Sequence, residues 1–168
     1  MRAFLNSTTY AYESIDYSST GIYSSLPEVL RNAIIDTRVV SGHGSTAGET
    51  NFTSTDKLYL LSTHEVWVDV DGNTSSGIDY YDTAYNNTRQ LDYYTGLNVT
   101  TSSYSGAIKQ YNGSNSYWWL RSANSNNNNN FYNVNSSGNN NNNNPNNSGG
   151  VVLGSFRVRQ SSLWVKSV

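Results

Sequence analysis

The residues of this 168-residue chain that could do chemistry are two histidines, a scatter of carboxylates and a long run of asparagines. His43 lies in "SGHGSTAG", which reads as a loop, where a lone imidazole is an exposed side chain before it is a catalyst. His64 precedes Glu65 in a strand-like run; neighbours on a strand point to opposite faces, so the pair makes a poor acid–base dyad. Asp69, Asp71 and Asn73 resemble the opening of a calcium loop. A helix–loop–helix calcium loop wants Gly at its sixth position and Glu at its twelfth, and here those positions hold Thr74 and Tyr80. Asp79 and Asp82 could supply oxygens in another geometry; the competing reading of Asp71-Gly72 is a plain turn. Calcium on these residues is the one cofactor the sequence suggests. Phosphate loops, nucleophile elbows and zinc spacings do not occur. With no Cys there is no thiolate ligand, thiol nucleophile or disulfide. The residues therefore point away from an enzyme, a hydrolase using Glu65 and aspartates being the alternative.

The asparagines are concentrated. Between Asn124 and Asn147 they fill 16 of 24 positions. Such a tract can be disordered, aggregation-prone low complexity, or it can be a folded surface. Composition alone favours the first; the intervening residues weigh toward the second. Phe131, Val134 and Val151 are strand-formers, and Gly138 and Gly149 fall where turns would be.

The elements that would position these groups are few. "SLPEVLRNAIIDTRVV" (25–40) reads as a helix, with Ser25 as cap, Pro27 near the first position and Leu26, Val29, Leu30, Ala33 and Ile34 at helical spacing. "DKLYLLSTHEVWVDV" (56–70) reads as a strand, and 69–82 as a turn-rich loop. "SYWWLRS" (116–122), "NFYNVNSSG" (130–138), "VVLGSFRVR" (151–159) and "SLWVKSV" (162–168) read as further strands, with a bulge or turn near Phe131 and Val134. The core is expected from Leu58, Leu60, Leu61, Trp118, Trp119 and Phe156. The outline is a single α+β domain over residues 1–168: one or two N-terminal helical segments, then a loop-rich antiparallel β half.

Composition narrows the partners. A net charge of −2 leaves no basic footprint for nucleic acid. No apolar run approaches the roughly 20 residues that span a bilayer, and "MRAFLNSTTY" lacks the apolar stretch of a secretory signal. Tyr (14) and Trp (4) are abundant, which suits half-buried sheets and binding surfaces. Sequons such as Asn51-Phe52-Thr53 and Asn98-Val99-Thr100 arise by chance in a chain this rich in Asn, Ser and Thr.

Four stretches, "MRAFLN", "TDKLYLLSTHEVW", "SYWWLRSANS" and "FYNVNSSG", resemble in that order a family of bacterial and phage domains with D-K-L-x-L-L-S and W-W-L-R-S motifs. The closing "GGVVLGSFRV" departs from the family's usual R-P-A. The family is similar to the C-type-lectin fold of the formylglycine-generating-enzyme type. The enzymes of that fold use Cys, so the resemblance implies binding. It also extends to the variable proteins of diversity-generating retroelements, in which the C-terminal strand region is rewritten at adenines. The implied partners are a host-cell surface receptor or another protein or glycan ligand. The implied locations are a phage tail tip or a bacterial cell surface, with a homotrimer fitting a tail-tip protein.

The genetic code bears on this resemblance. Asn codons begin with two adenines, and randomising both in AAC yields most amino acids and no stop codon. Trp118, Trp119, Phe131, Val134, Gly138, Pro145, Gly149, Gly150, Val151, Val152 and Leu153 need no adenine at those positions; Tyr132 needs one. The variable region would span about 117–158. Its ligand-binding positions would be Asn124, Asn126, Asn127, Asn128, Asn129, Asn130, Tyr132, Asn133, Asn135, Asn139, Asn140, Asn141, Asn142, Asn143, Asn144, Asn146 and Asn147, the asparagines lining an exposed patch. In a bland alternative the chain is a non-diversified surface or glycan-binding domain, with Tyr80, Tyr81, Tyr93, Tyr94, Tyr117 and Tyr132 stacking on sugars. Both readings require order in the tract. Amide exchange should show protected positions within residues 130–158, and uniformly fast exchange there would establish a disordered tract.

Overall fold

A computed structural model of the chain describes residues 1–9, 16–70, 90–147 and 149–159. The chain folds as two compact units assembled from interleaved segments. The first takes Met1–Arg38, Thr55–Tyr59 and the chain from Ser155; the second takes Val39–Ser54 and Leu60–Gly154. The architecture is α+β, with short helices and small antiparallel sheets. No helix among the described residues is long and apolar enough to cross a membrane.

The first unit holds α1 (Arg2–Asn6), α2 (Ile22–Ser25) and α3 (Glu28–Ala33), around a small core of Leu5, Ile34 and Leu58. Its key contact is polar. The fully buried Asn6 side chain donates to Leu58 O (2.8 Å) and accepts from the N–H groups of Lys57 (2.9 Å) and Leu58 (2.8 Å). Arg2 Nε donates to Asp56 Oδ1 at 2.7 Å. The opening "RAFLN" therefore clasps "DKL" by one ion pair and three backbone bonds.

The single helix expected over 25–40 is broken in two. It ends at Ala33, and Thr37–Ser41 is strand β1. The β-branched run Ile34, Ile35, Thr37, Val39, Val40 favours extended backbone. Of the residues at helical spacing only Ile34 is buried, and Val29 is 84% exposed. β1 pairs with β2 (Phe52–Asp56).

The continuous strand expected over 56–70 is also absent. Ser62 caps a short helix, α4 (Thr63–Val66), by a reciprocal pair: Ser62 Oγ accepts from Glu65 N–H (3.3 Å) and Glu65 Oε2 from Ser62 N–H (2.8 Å). The sequence carries this signal as Ser-x-x-Glu. His64 and Glu65 are thus on a helix, not a strand. Val68 and Val70 are exposed.

The second unit continues with α5 (Asp92–Gly96), a 3-10 turn (Ser105–Ala107), the hairpin β3 (Lys109–Tyr111)–β4 (Ser114–Ser116), and a three-stranded sheet in the order β5 (Trp118–Ala123), β6 (Phe131–Val134), β7 (Asn140–Asn143). Its core includes Leu60, Leu61, Val66, Trp67, Val99, Trp118, Trp119, Leu120, Tyr132 and Val134. The strand expected over 151–159 is only a set of isolated bridges, and Phe156 is 42% exposed, outside the core. The expected strand at 162–168 lies outside the described residues.

Asn6→Ala should be the costliest conservative change in the first unit. It leaves buried backbone groups of Lys57 and Leu58 unpaired, at about 1–3 kcal/mol per group. Urea melts should show a loss of about 3 kcal/mol; a loss within surface scatter, about 0.5 kcal/mol, would mean that Asn6 is not the clasp.

Candidate ligand-binding surface

The surface is built outward from Arg121 on β5. Its N–H donates to Leu61 O (2.9 Å), and its guanidinium reaches Val40 O (3.0 Å), Leu60 O (2.8 Å) and the Glu65 carboxylate. Ser122 Oγ accepts from Thr63 N–H at 3.1 Å. "LRS" is thereby locked to "LLSTHE", and Glu65 serves as a structural anchor that also caps α4.

The tryptophans hold the other side. Trp118 Nε1 donates to Ala107 O (3.1 Å), Trp119 Nε1 to Gly149 O (3.3 Å) and Trp67 Nε1 to Gly138 O (3.3 Å). Gly138 has φ +92°, and a Cβ there would stand 2.1 Å from Tyr104 O, so the turn tolerates no side chain.

On this frame β6 pairs with β5 through Trp118↔Val134, Trp119↔Asn133 and Ala123↔Phe131, the register shifting between the last two. β7 pairs with β6 through Phe131↔Asn143, Tyr132↔Asn142, Asn133↔Asn141 and Val134↔Asn140. Asn is a poor strand former, yet Asn140–Asn143 is a strand. Tertiary pairing with β6 outweighs local preference here.

The asparagines sort into three groups. Asn126, Asn128, Asn129, Asn141, Asn146 and Asn147 are exposed, and Asn127, Asn130, Asn135, Asn139, Asn140, Asn142, Asn143 and Asn144 are half-buried. Asn124 (7% exposed), Tyr132 (1%) and Asn133 (1%) are in the interior. The expectation that the asparagines line an exposed patch is corrected for Asn124 and Asn133, and Tyr132, expected among the ligand-binding positions, is interior as well. Tyr132 shares the face of Trp118 and Val134, where the sheet packs on the core; Asn133 lies beside Trp119 on β5.

Several asparagines also hold turns. Asn124 Oδ1 accepts from Asn126 N–H (2.8 Å), Asn127 Oδ1 from Asn129 N–H (2.9 Å) and Asn144 Oδ1 from Asn146 N–H (2.9 Å). These are Asx turns. Asn135 Oδ1 accepts three bonds, from Ser137 N–H, Ser137 Oγ and Asn139 N–H. Asn130 Nδ2 donates across the sheet to Asn142 Oδ1 at 2.8 Å.

Two contributors were missed in the sequence. Phe131, a strand-former by its sequence and absent from the expected ligand-binding positions, is 38% exposed, an aromatic among the asparagines. The loop bearing His43 borders the same turns: a Cβ at Gly44 would lie 3.7 Å from Asn127 O and 3.4 Å from Glu49 Oε2. The glycine pattern of that loop was the available signal. His43 itself bonds locally, its N–H to Asn51 Oδ1 (3.1 Å) and its ring Nδ1 lying 2.7 Å from Gly44 O.

Of the calcium candidates, Asp71 and Asn73 lie outside the described residues, as do Asp79 and Asp82; Asp69 is half-buried. No group of three or more His, Asp or Glu that could hold a metal occurs among the described residues.

An α+β chain whose Asn-rich strands and turns are mounted on a Trp- and Arg-braced sheet is thus the class that fold and surface define. The chain belongs to the family DUF6273, a domain of unknown function, which it matches over residues 1–166. No curated protein and no solved structure matches it.

The sorting predicts unequal tolerance. Asn135→Ala should cost about 1–2 kcal/mol, the scale of a lost side-chain cap, whereas Asn128→Ala should stay within about 0.5 kcal/mol. Thermal melts of the two variants test this, and equal effects would show that Asn135 does not hold its turn.

Proposed function

We propose that this chain is a ligand-binding variable protein with a C-type-lectin-like fold, its Asn-rich surface being the diversifiable part. The observation that carries the reading is the division of labour along β5–β7 and their turns. Trp118, Trp119 and Val134, which need no adenine in their leading codon positions, are interior; Asn126, Asn128, Asn129, Asn141, Asn146 and Asn147 are at the surface.

The chemistry of the surface fits an unspecialised state. Each Asn offers donors and an acceptor, but hot spots favour Trp, Tyr and Arg. Only Phe131 supplies an exposed aromatic within the tract among its described residues. The Asn-rich form therefore binds weakly, and selected forms carry Tyr, Ser or Arg at the exposed positions, as paratopes do. The target is a host-cell surface receptor or another protein or glycan, met from a phage tail tip or a bacterial surface, with trimeric display adding avidity.

The turn-holding asparagines suit the same use. Of the six single changes at the adenines of an AAC codon, three give Asp, Ser or Thr, whose side-chain oxygens also accept turn bonds; the other three give His, Tyr or Ile. Asn124, Asn127, Asn135 and Asn144 can thus vary among these residues without loss of the turn.

A second reading, a fixed glycan-binding domain, is favoured by one feature. Tyr93 (59%) and Tyr111 (60%) are exposed, and Lys109 Nζ lies 4.6 Å from the Tyr93 ring centre. The other tyrosines serve it less well. Tyr94 and Tyr132 are buried, burial pushing the Tyr94 phenol above its ordinary range; Tyr117 is half-buried; Tyr80 and Tyr81 lie outside the described residues.

Sequencing the gene and its flanks across the source population separates the two. The variable-protein reading expects a neighbouring reverse transcriptase, a near-copy of the 3′ region differing at adenines, and substitutions gathered at the exposed Asn codons. Substitutions spread evenly, or gathered at Trp and Gly codons, would remove it.

A further inference from the structure

Among the described residues, β7 is the open edge of its sheet. The opposite edge, along β5, is covered: Trp119 N–H donates to Val151 O (3.1 Å), Val151 N–H to Tyr117 O (2.9 Å) and Arg121 N–H to Leu61 O (2.9 Å). Alternation fixes which amides of β7 face outward. Asn135 N–H donates to Asn139 O at 2.8 Å where the hairpin closes. Bonded and non-bonded pairs alternate along an antiparallel ladder, so Asn133/Asn141 and Phe131/Asn143 are the next bonded pairs. The amides of Asn140 and Asn142 therefore point off the edge, with Asn144 next in the series.

All three outward amides are met by the side chain of the preceding residue. Asn139 Oδ1 accepts from Asn140 N–H (2.8 Å), Asn141 Oδ1 from Asn142 N–H (2.9 Å) and Asn143 Oδ1 from Asn144 N–H (2.9 Å). An amide oxygen thus occupies the position that the carbonyl of an added strand would take. Exposed edges otherwise invite such addition.

We infer that the outer edge of β7 is a strand-addition surface held shut by Asn139, Asn141 and Asn143, and that its partner when open is β7 of a second copy of this chain. Residues 139–144 are all Asn, so the segment reads the same in both directions. Antiparallel pairing about a two-fold axis sets donors against acceptors in any register that keeps this alternation. Identical Asn strands laid side by side also form side-chain amide ladders. No part of this rests on the ligand-binding reading above.

The test is the full chain carrying Asn139→Ala, Asn141→Ala and Asn143→Ala, compared with the parent by sedimentation over a concentration series and by amide exchange. The triple variant should self-associate at a concentration at least tenfold lower than the parent, doubling its mass, with slowed exchange at Asn140, Asn142 and Asn144. Adding Asn142→Pro to it removes the central outward amide without touching the ladder to β6, and should restore the parental mass. A folded triple variant with parental mass and fast exchange at these amides overturns the inference. So does association that survives Asn142→Pro, which would place the contact elsewhere. If the triple variant does not fold, Asn141→Ala alone uncaps Asn142 and should shift association in the same direction; no shift overturns the inference equally.

Discussion

The second unit is organised by the Arg121 guanidinium. One side chain engages the carbonyls of Val40 and Leu60 and the Glu65 carboxylate, joining two separate stretches of chain to β5. A planar group with five donors in a fixed fork is the side chain suited to this. Glu65 is in turn committed to Ser62 N–H, so ion pair and helix cap are one network. Because the pair is mostly shielded from solvent (side chains 11% and 16% exposed), loss of either member strands the other charge. The network anchors β5, and β6 and β7 are paired onto β5 in turn.

The motifs visible in the sequence turn out to be complementary halves of clasps. "DKL" is held by Arg2 and Asn6, and the "LLS" that follows is held by Arg121 and Ser122 in the second unit. The polar residues Asp56, Ser62, Glu65, Arg121 and Ser122 of these otherwise apolar motifs each take part in a hydrogen bond, the general condition for polar groups away from water.

Legibility differed by element. β5 and the Gly138 turn were readable because an apolar run flanked by turn residues has few other solutions. The helix over 25–40 was misread because apolar spacing alone does not tell a helix from a helix running into the β-branched Ile34–Val40 segment. The strand over 56–70 was misread because Leu58, Leu60 and Leu61 are buried by long-range contacts, while the Ser62–Glu65 cap was overlooked. β7 had no local signal at all: its strand state comes from pairing with β6. Among the asparagines, composition marked the region but not the roles. Exposed Asn128, turn-holding Asn135 and interior Asn133 are the same letter, and only the register and the turns distinguish them.

The indoles of Trp67 and Trp119 hydrogen-bond the Asn-rich region at carbonyl oxygens, those of Gly138 and Gly149. A carbonyl is present whatever residue follows or precedes it. Through these two bonds the interior meets the outer loops at backbone atoms, which substitutions at the exposed asparagines leave in place. Such a joint acts as an insulator for the exposed asparagines alone: a change of side chain there need not propagate inward, whereas Asn133 is interior and Gly138 admits no side chain.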